Sequence, residues 1–363
     1  MKVIHLVANK TWGGGEQYVY DIVEHLKLNG ESPVVVCRAI PILVDNYLAL
    51  GVPVYKLKLG GYFDFKSVLA LLQIVKNIDD DCIIHAHDFK RAFIAVVACK
   101  MYHGKKKIRV IMTRHLIRQA KKSFLENMVY KNISAIVFVS ELARKVFMSS
   151  SPMIEQNICK VIYSGVKDRA CDKNYLRNVL NIADNEFVMM YHGRIEAEKG
   201  VEVIIEALSA LGESISYRMV FIGDDTTEYV KKLKRRIENT GLKNKIIWTG
   251  YQKNIGQWIG GCNLGLVPTI AKEAFGLSVV EYMMAGKTVI TTDNGAQKEY
   301  IQNGVTGVLI YPSDSQLLAK NIEDIYNTKD YVRIGNNARE YYEKNLSYDV
   351  FFNKMLKMYR TAF

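Results

Sequence analysis

Two cations and two carboxylates stand at spacings suited to a phosphorylated substrate. In YHGRIEAEKG (191–200), Arg194 and Lys199 follow an apolar run and lie near the start of a helical pattern. Cations placed there can neutralise a phosphate leaving group; a solvated surface loop is the plain alternative. In KEAFGLSVVEYMMAG (272–286), Glu273 and Glu281 bracket a turn through Phe275 and Gly276 that leads into an apolar helix. One carboxylate before a helix and another about two turns in can both face the carboxyl edge of a sheet. A capping acid and an exposed glutamate would explain each singly, but the spacing, the glycine and the nearby cations favour a shared task.

NKTWGGGEQY (9–18) adds three consecutive glycines behind the apolar run VIHLVA. Between a strand and a helix, such a stretch lets an anion approach bare backbone at the positive end of the helix dipole. The spacing is not the GxGxxG of a dinucleotide fold, and by itself it is as compatible with a structural turn. His115 in TRHLIR ends an apolar run amid basic residues and reads as a cleft residue rather than a nucleophile. In IIHAHDF, His85 is expected to pack against a sheet, while His87 or Asp88 reaches toward an acceptor.

These residues need elements to position them. Short β-branched runs at 2–8, 32–38, 82–87, 108–114, 135–140 and 159–165 alternate with amphipathic segments. One of these, EQYVYDIVEHLKLNG (16–30), sets Val19, Ile22, Val23 and Leu26 on one face and ends at a glycine. After a polar stretch at 167–186 the alternation restarts, with runs at 187–193, 217–223, 245–250, 264–269, 287–293 and 306–311. Strands alternating with helices predict two successive α/β domains with parallel, doubly wound sheets, divided near residue 166.

Composition narrows the function classes. The 363 residues are 49% hydrophobic and 24% charged, as expected of a globular chain of two domains. The six cysteines are scattered without a CxxC pair, which argues against a zinc site or a disulfide framework and for a reducing compartment. The N-terminal apolar stretch is too short for a signal peptide, and no window approaches the roughly 18 apolar residues of a membrane span. A cytoplasmic protein is therefore expected. The net charge of +12 is uneven: residues 1–165 hold 23 Lys or Arg against 13 Asp or Glu, and the remainder 26 against 24. Residues 100–122 alone carry nine basic and no acidic side chains, which suggests either an anionic partner or a solvated face.

Taken together, GGGE, GRIEAEKG, EAFGLSVVE, MAGKTVITTDNGAQKEYI and NGVTGVLI resemble the retaining family 4 glycosyltransferases of the GT-B fold. The resemblance runs along nearly the whole chain and is closest from 190 to 312. It implies two Rossmann-like doubly wound domains with a cleft between them: an acceptor-side domain over 1–166, a nucleotide-sugar domain over 167–346, and a C-terminal helix over 347–363 packing back on the first. It implies that Arg194 and Lys199 hold the donor diphosphate, that Glu281 binds the ribose diol and that Glu273 binds hydroxyls of the transferred sugar. Backbone N–H groups around Phe275, Gly276 and Leu277 would meet the donor phosphates, Gly14 and Gly15 would reach them from the other domain, and His115 would lie beside the donor sugar.

No DxD-like metal motif stands at a strand end, so no metal or cofactor is expected. The resemblance implies same-face transfer from a nucleotide-sugar, with UDP preferred over GDP. The implied acceptor is a glycan or a lipid-linked molecule of cell-envelope polysaccharide or lipopolysaccharide synthesis. Residues 100–122 would then rest on anionic lipid, making a peripheral enzyme at the inner face of the plasma membrane. A GT-B sugar-nucleotide epimerase lacks the EAFGLSVVE pattern, a dehydrogenase needs GxGxxG, and a nucleic-acid-binding protein leaves Glu273 and Glu281 without a task.

Overall fold

In the computed structural model, which describes residues 1–362, the β-branched runs become parallel strands, the central ones buried on both faces. The first set is β1 (Lys2–Val7), β2 (Ser32–Cys37), β3 (Val54–Lys56), β4 (Cys82–Ala86), β5 (Ile108–Arg114), β6 (Ala135–Phe138) and β7 (Cys159–Val161). Its helices are α1 (Gly14–Leu28), α2 (Pro41–Ala49), α3 (Phe65–Lys76), α4 (Phe89–Lys100), α5 (Phe124–Tyr130) and α6 (Glu141–Met148). The sheet order is β3-β2-β1-β4-β5-β6-β7, every pair parallel. Ile4, Leu6, Val36, Ile84, Met112 and Phe138 form the centre of its core.

The second set is α7 (Tyr175–Leu180), β8 (Phe187–His192), α8 (Val201–Leu211), β9 (Tyr217–Ile222), α9 (Glu228–Ile237), β10 (Ile246–Trp248), α10 (Ile255–Gly260) and β11 (Leu264–Val267). It continues with α11 (Leu277–Met284), β12 (Thr288–Thr292), β13 (Val308–Ile310), α12 (Ser315–Thr328) and α13 (Tyr331–Asn345), and the last helix, α14 (Tyr348–Thr361), belongs from Phe351 onward to the first unit. Its sheet runs β10-β9-β8-β11-β12-β13, around a core that includes Met189, Tyr191, Met219, Phe221 and Leu266. The chain divides into one unit of Met1–Ser164 with the residues from Phe351 onward, and another of Gly165–Val350. Each is a doubly wound α/β unit, and the architecture is GT-B.

Helix starts follow side-chain chemistry. Asp64, Asp88, Ser123, Ser140, Thr227 and Asp314 each accept a hydrogen bond from the backbone N–H three residues on. Such a cap contributes about 1 kcal/mol. Two elements escaped the periodicity reading. The strand β3 is three residues long at a sheet edge, and α7 is a six-residue helix inside the polar stretch.

The basic run 100–122 is one segment in sequence and two places in space. Lys105, Lys106 and Lys107 precede β5, whereas His115 to Lys122 follow it, so a seven-residue strand of roughly 20 Å separates them. Lys106 is spent internally: its Nζ donates to the carbonyls of Val75 and Ile78 at the end of α3. The expectation of a single continuous basic surface is corrected accordingly.

Candidate functional site

In a doubly wound sheet, ligands bind beyond the carboxyl ends of the strands, where the strand order reverses. In the second unit that switch point lies between β8 and β11. The loop after β8 supplies Arg194 and Lys199; the loop after β11 supplies Glu273 and leads into α11. The two loops are joined by backbone, since the N–H groups of Ile270 and Ala271 both donate to the Glu198 carbonyl at 2.9 and 3.1 Å. Lys199 Nζ and Glu273 Oε1 form an ion pair of 2.5 Å, with both side chains mostly buried. Gly295 presses against the Glu273 backbone so closely that a Cβ there would lie 2.8 Å from its nitrogen, which fixes where Glu273 starts.

Gly276 caps α11 at φ +88°, a left-handed conformation that disfavours other residues. It turns the chain so that the helix begins at the sheet edge, with the first-turn N–H groups lacking intrahelical acceptors. Phe275 is buried against Tyr300, whose hydroxyl donates to the Phe275 carbonyl at 2.6 Å. Glu281, four residues into α11, is one helical turn in rather than two. His192 Nε2 lies 2.7 Å from its Oε2, and Arg169 Nη1 lies 3.5 Å from its Oε1. Burial pushes the Glu281 carboxyl up, but the hydrogen bond and charge from His192 and the charge of Arg169 outweigh it and hold its pKa below the ordinary value.

Arg194 stands apart from this group. Its side chain is 66% exposed and pairs locally with Glu196 at 2.8 Å and Glu198 at 3.4 Å. The structure therefore brings Lys199 to Glu273 and leaves Arg194 on the rim of the same loop.

In the first unit the switch point lies between β1 and β4. The triple glycine is not a loop: Gly13 caps α1, and Gly14 and Gly15 form its first turn. None of the three has a positive φ, and a Cβ at Gly13 or Gly15 would meet nothing closer than 3.5 Å. Internal sterics thus do not require glycine at positions 13 and 15. Glu16, at the third helical position, reaches back so that its carboxylate accepts from the N–H groups of Gly13 and of Glu16 itself, and from Asn9. Burial raises the Glu16 pKa despite these hydrogen bonds. Part of the helix N-terminus offered to an anion in the sequence reading is therefore occupied by the protein's own carboxyl group, while Gly14 stays exposed.

Four imidazoles cluster here, His5 and His85 buried within β1 and β4, and His87 and His115 just beyond the ends of β4 and β5. His5 Nδ1 lies 3.2 Å from His87 Nε2, and His87 Nδ1 lies 3.5 Å from His115 Nε2. His85 is fully buried, with Nδ1 2.6 Å from the Tyr359 hydroxyl on α14 and Nε2 2.7 Å from Thr113 Oγ1. Burial lowers all four pKa values, to about 3 for His5 and about 4 for His115, so the array is neutral at pH 7. His5, His85 and His87 are close enough together to hold a metal ion, but both His85 nitrogens are committed to Tyr359 and Thr113. Asp88 caps α4 and pairs with Arg91 at 2.5 Å, so it is a structural acid rather than one reaching for an acceptor.

Sequence reasoning missed His192, Arg169 and Glu16. His192 ends β8 immediately before Gly193, a strand-end position that could have marked it. Arg169 lies in a stretch without periodicity and gave no signal. Glu16 was read as part of the glycine turn, although a glutamate three residues after a cap is a capping signature.

The matches to known proteins give the family. A family model described as glycosyltransferase family 4 matches residues 12–169, and one described as glycosyl transferases group 1 matches residues 172–341. An uncharacterized glycosyltransferase of Methanocaldococcus jannaschii is 22% identical over 94% of this chain and 88% of its own. A capsular polysaccharide biosynthesis glycosyltransferase of Staphylococcus aureus is 22% identical over 87% and 86%. Among solved structures, Anabaena HepE in complex with UDP superposes with a TM-score of 0.87 at 22% identity, covering 99% of this chain and 100% of that one. With two family models in succession over most of its length and a GT-B architecture, the chain belongs to the group 1 and family 4 glycosyltransferases.

Proposed function

We propose that this glycosyltransferase moves a hexose from a nucleotide-sugar, a UDP-sugar before a GDP-sugar, to a glycan or lipid-linked acceptor of cell-envelope polysaccharide synthesis. Transfer proceeds with retention of configuration and without a metal. The observation that carries this reading is the convergence at the β8/β11 switch point of the Lys199–Glu273 pair, the start of α11 and the carboxylate of Glu281. The UDP held by the Anabaena structure and the capsular function named for the Staphylococcus relative support donor and pathway class.

In this mechanism Glu281 accepts hydrogen bonds from the ribose diol, with His192 and Arg169 keeping it ionised. The donor diphosphate meets Lys199, Arg194 and the N–H groups around Phe275, Gly276 and Leu277. Lys199 exchanges its carboxylate partner for phosphate, which frees Glu273 to hold hydroxyls of the sugar. The anomeric C–O bond to phosphate breaks as the bond to the acceptor oxygen forms on the same face, and the acceptor proton passes to the departing diphosphate. Glu273 positions the sugar and does not attack, unlike the nucleophilic carboxylate of a retaining hydrolase. Gly14, Gly15 and His115 are assigned contacts with the substrates. Catalysis takes place in the cytoplasm, with the acceptor presented at the inner membrane face.

The test is UDP release from UDP-sugars in EDTA, with retention read from the anomeric signal of the product. Undiminished turnover is expected; an absolute need for Mn²⁺ would overturn the metal-independent mechanism.

A further inference from the structure

The first unit displays a built surface whose residues have no part in the mechanism above. From the end of β3 through a loop into the first turn of α3, KLKLGGYFDFK (56–66) leaves Phe63 87% and Phe65 66% exposed. The loop is not loose. Leu59 is fully buried at φ +47°, a left-handed conformation uncommon for leucine. Its N–H donates to Ser67 Oγ at 3.0 Å, and its carbonyl accepts from Arg91 Nη1 at 3.3 Å. Tyr62 packs edge-on against Phe93 at 5.2 Å. The backbone is thus pinned on both sides of two phenylalanines that point outward.

Lysines surround them. An open cavity of about 1130 Å³ is lined by this loop together with Lys56, Lys58, Lys66 and Lys90. Lys90 reaches it from the first turn of α4, where its side chain lies against Gly61. The one carboxylate in the lining, Asp64, is taken up by the Gly60 N–H at 2.6 Å and by the Ser67 N–H and hydroxyl. The surface is therefore cationic and aromatic, with its only acid turned to helix capping. It follows β3 and β4, so it lies on the carboxyl edge of the sheet, the edge that also carries His115 and the exposed Phe124 at the start of α5.

We propose that this edge, with Phe63 and Phe65 inserted and Lys56, Lys58, Lys66 and Lys90 over lipid phosphates, is the surface by which the protein docks on an anionic bilayer. Charge complementarity selects the occupant: four lysines without a free acid attract a negatively charged headgroup layer. Two phenylalanines held outward by a strained, pinned loop gain nothing in water and can be buried at the headgroup boundary. The proposal rests on the reading of a membrane-presented acceptor for its purpose, and it moves the contact from residues 100–122 as a whole to the carboxyl edge. Lys105 and Lys107, at the opposite edge, take no part.

The experiment is cosedimentation of the full chain with phosphatidylglycerol-containing or pure phosphatidylcholine vesicles, read without donor or turnover, so that a failure of the transferase reading leaves it interpretable. Binding to the anionic vesicles alone, lost in high salt, is expected. Each lysine removed should weaken partitioning about five-fold. Lys58→Glu with Lys66→Glu should abolish binding, and Phe63→Ser with Phe65→Ser should reduce it about ten-fold. These positions are exposed, and unchanged circular dichroism will show that the fold is kept. Lys105→Glu with Lys107→Glu should bind as the unaltered chain does. No vesicle binding at low salt, or binding indifferent to Phe63 and Phe65 but lost on reversal of Lys105 and Lys107, would overturn the proposal.

Discussion

Alanine in place of Lys199 is expected to lower kcat by about 10²-fold or more, the loss seen when a charge partner of the transition state is removed. The geometry makes Lys199 the stronger test of the diphosphate assignment. Its ammonium is mostly buried, 2.5 Å from Glu273, and sits in the loop between β8 and α8. Its removal deletes the cation nearest the reaction and leaves a mostly buried carboxylate that would repel an incoming phosphate. Arg194→Ala should lower kcat by a similar factor, yet with no cost to folding, because its ion pairs are exposed and such pairs contribute little. Steady-state kinetics with a UDP-sugar, beside a thermal melt, separates the two effects. Unchanged turnover in both variants would remove the diphosphate assignment altogether.

Acid should destabilise the protein before its carboxylates are protonated. His5 and His85 are fully buried and neutral, with pKa values depressed by burial below the 6.5 of an exposed imidazole, His5 to about 3. Between these limits the unfolded chain binds protons that the folded chain refuses. The stabilising effect is therefore complete above pH 6.5 and is lost as pH falls. For His5, moving from pH 7 to pH 5 should cost about 2 kcal/mol, and the lowered pKa values of His85, His87 and His115 act in the same direction. That is a measurable share of the roughly 5–15 kcal/mol by which domains are stable. Glu281 and Asp64, whose pKa values are lowered from 4.5 and 3.8, titrate below this window, and Glu16, raised by burial, opposes the trend by a single group. Urea unfolding at pH 7 and pH 5 measures the difference. His5→Leu, which also removes a buried and unpartnered Nε2, should reduce it by about 2 kcal/mol. Equal stability at the two pH values would show that the imidazoles are solvated.

Much of this was legible in the chain. Buried parallel strands announce themselves as β-branched runs, so among the described residues twelve of the thirteen strands stood out, and the one that did not is three residues at an edge. Lys199, Glu273 and Glu281 were legible because strand ends and a helix start fix them to one sheet edge. The partners of these side chains were not. His192 meets Glu281 across 89 positions and Arg169 across 112, contacts that depend on how β8 and α11 pack rather than on any local pattern. Charge density along the sequence misled for a related reason, since a strand running through residues 108–114 carries its two flanks to opposite edges.

The central claim is that the second unit holds the donor nucleotide at the β8/β11 edge, with Glu281 on the ribose. Isothermal titration of UDP into the unaltered chain and into Glu281→Ala tests it without needing an acceptor. A charged hydrogen-bond partner contributes about 1.5–3 kcal/mol, so the variant should bind UDP roughly 10- to 100-fold more weakly while keeping its circular dichroism spectrum. Equal affinity for UDP in the two proteins would contradict the account.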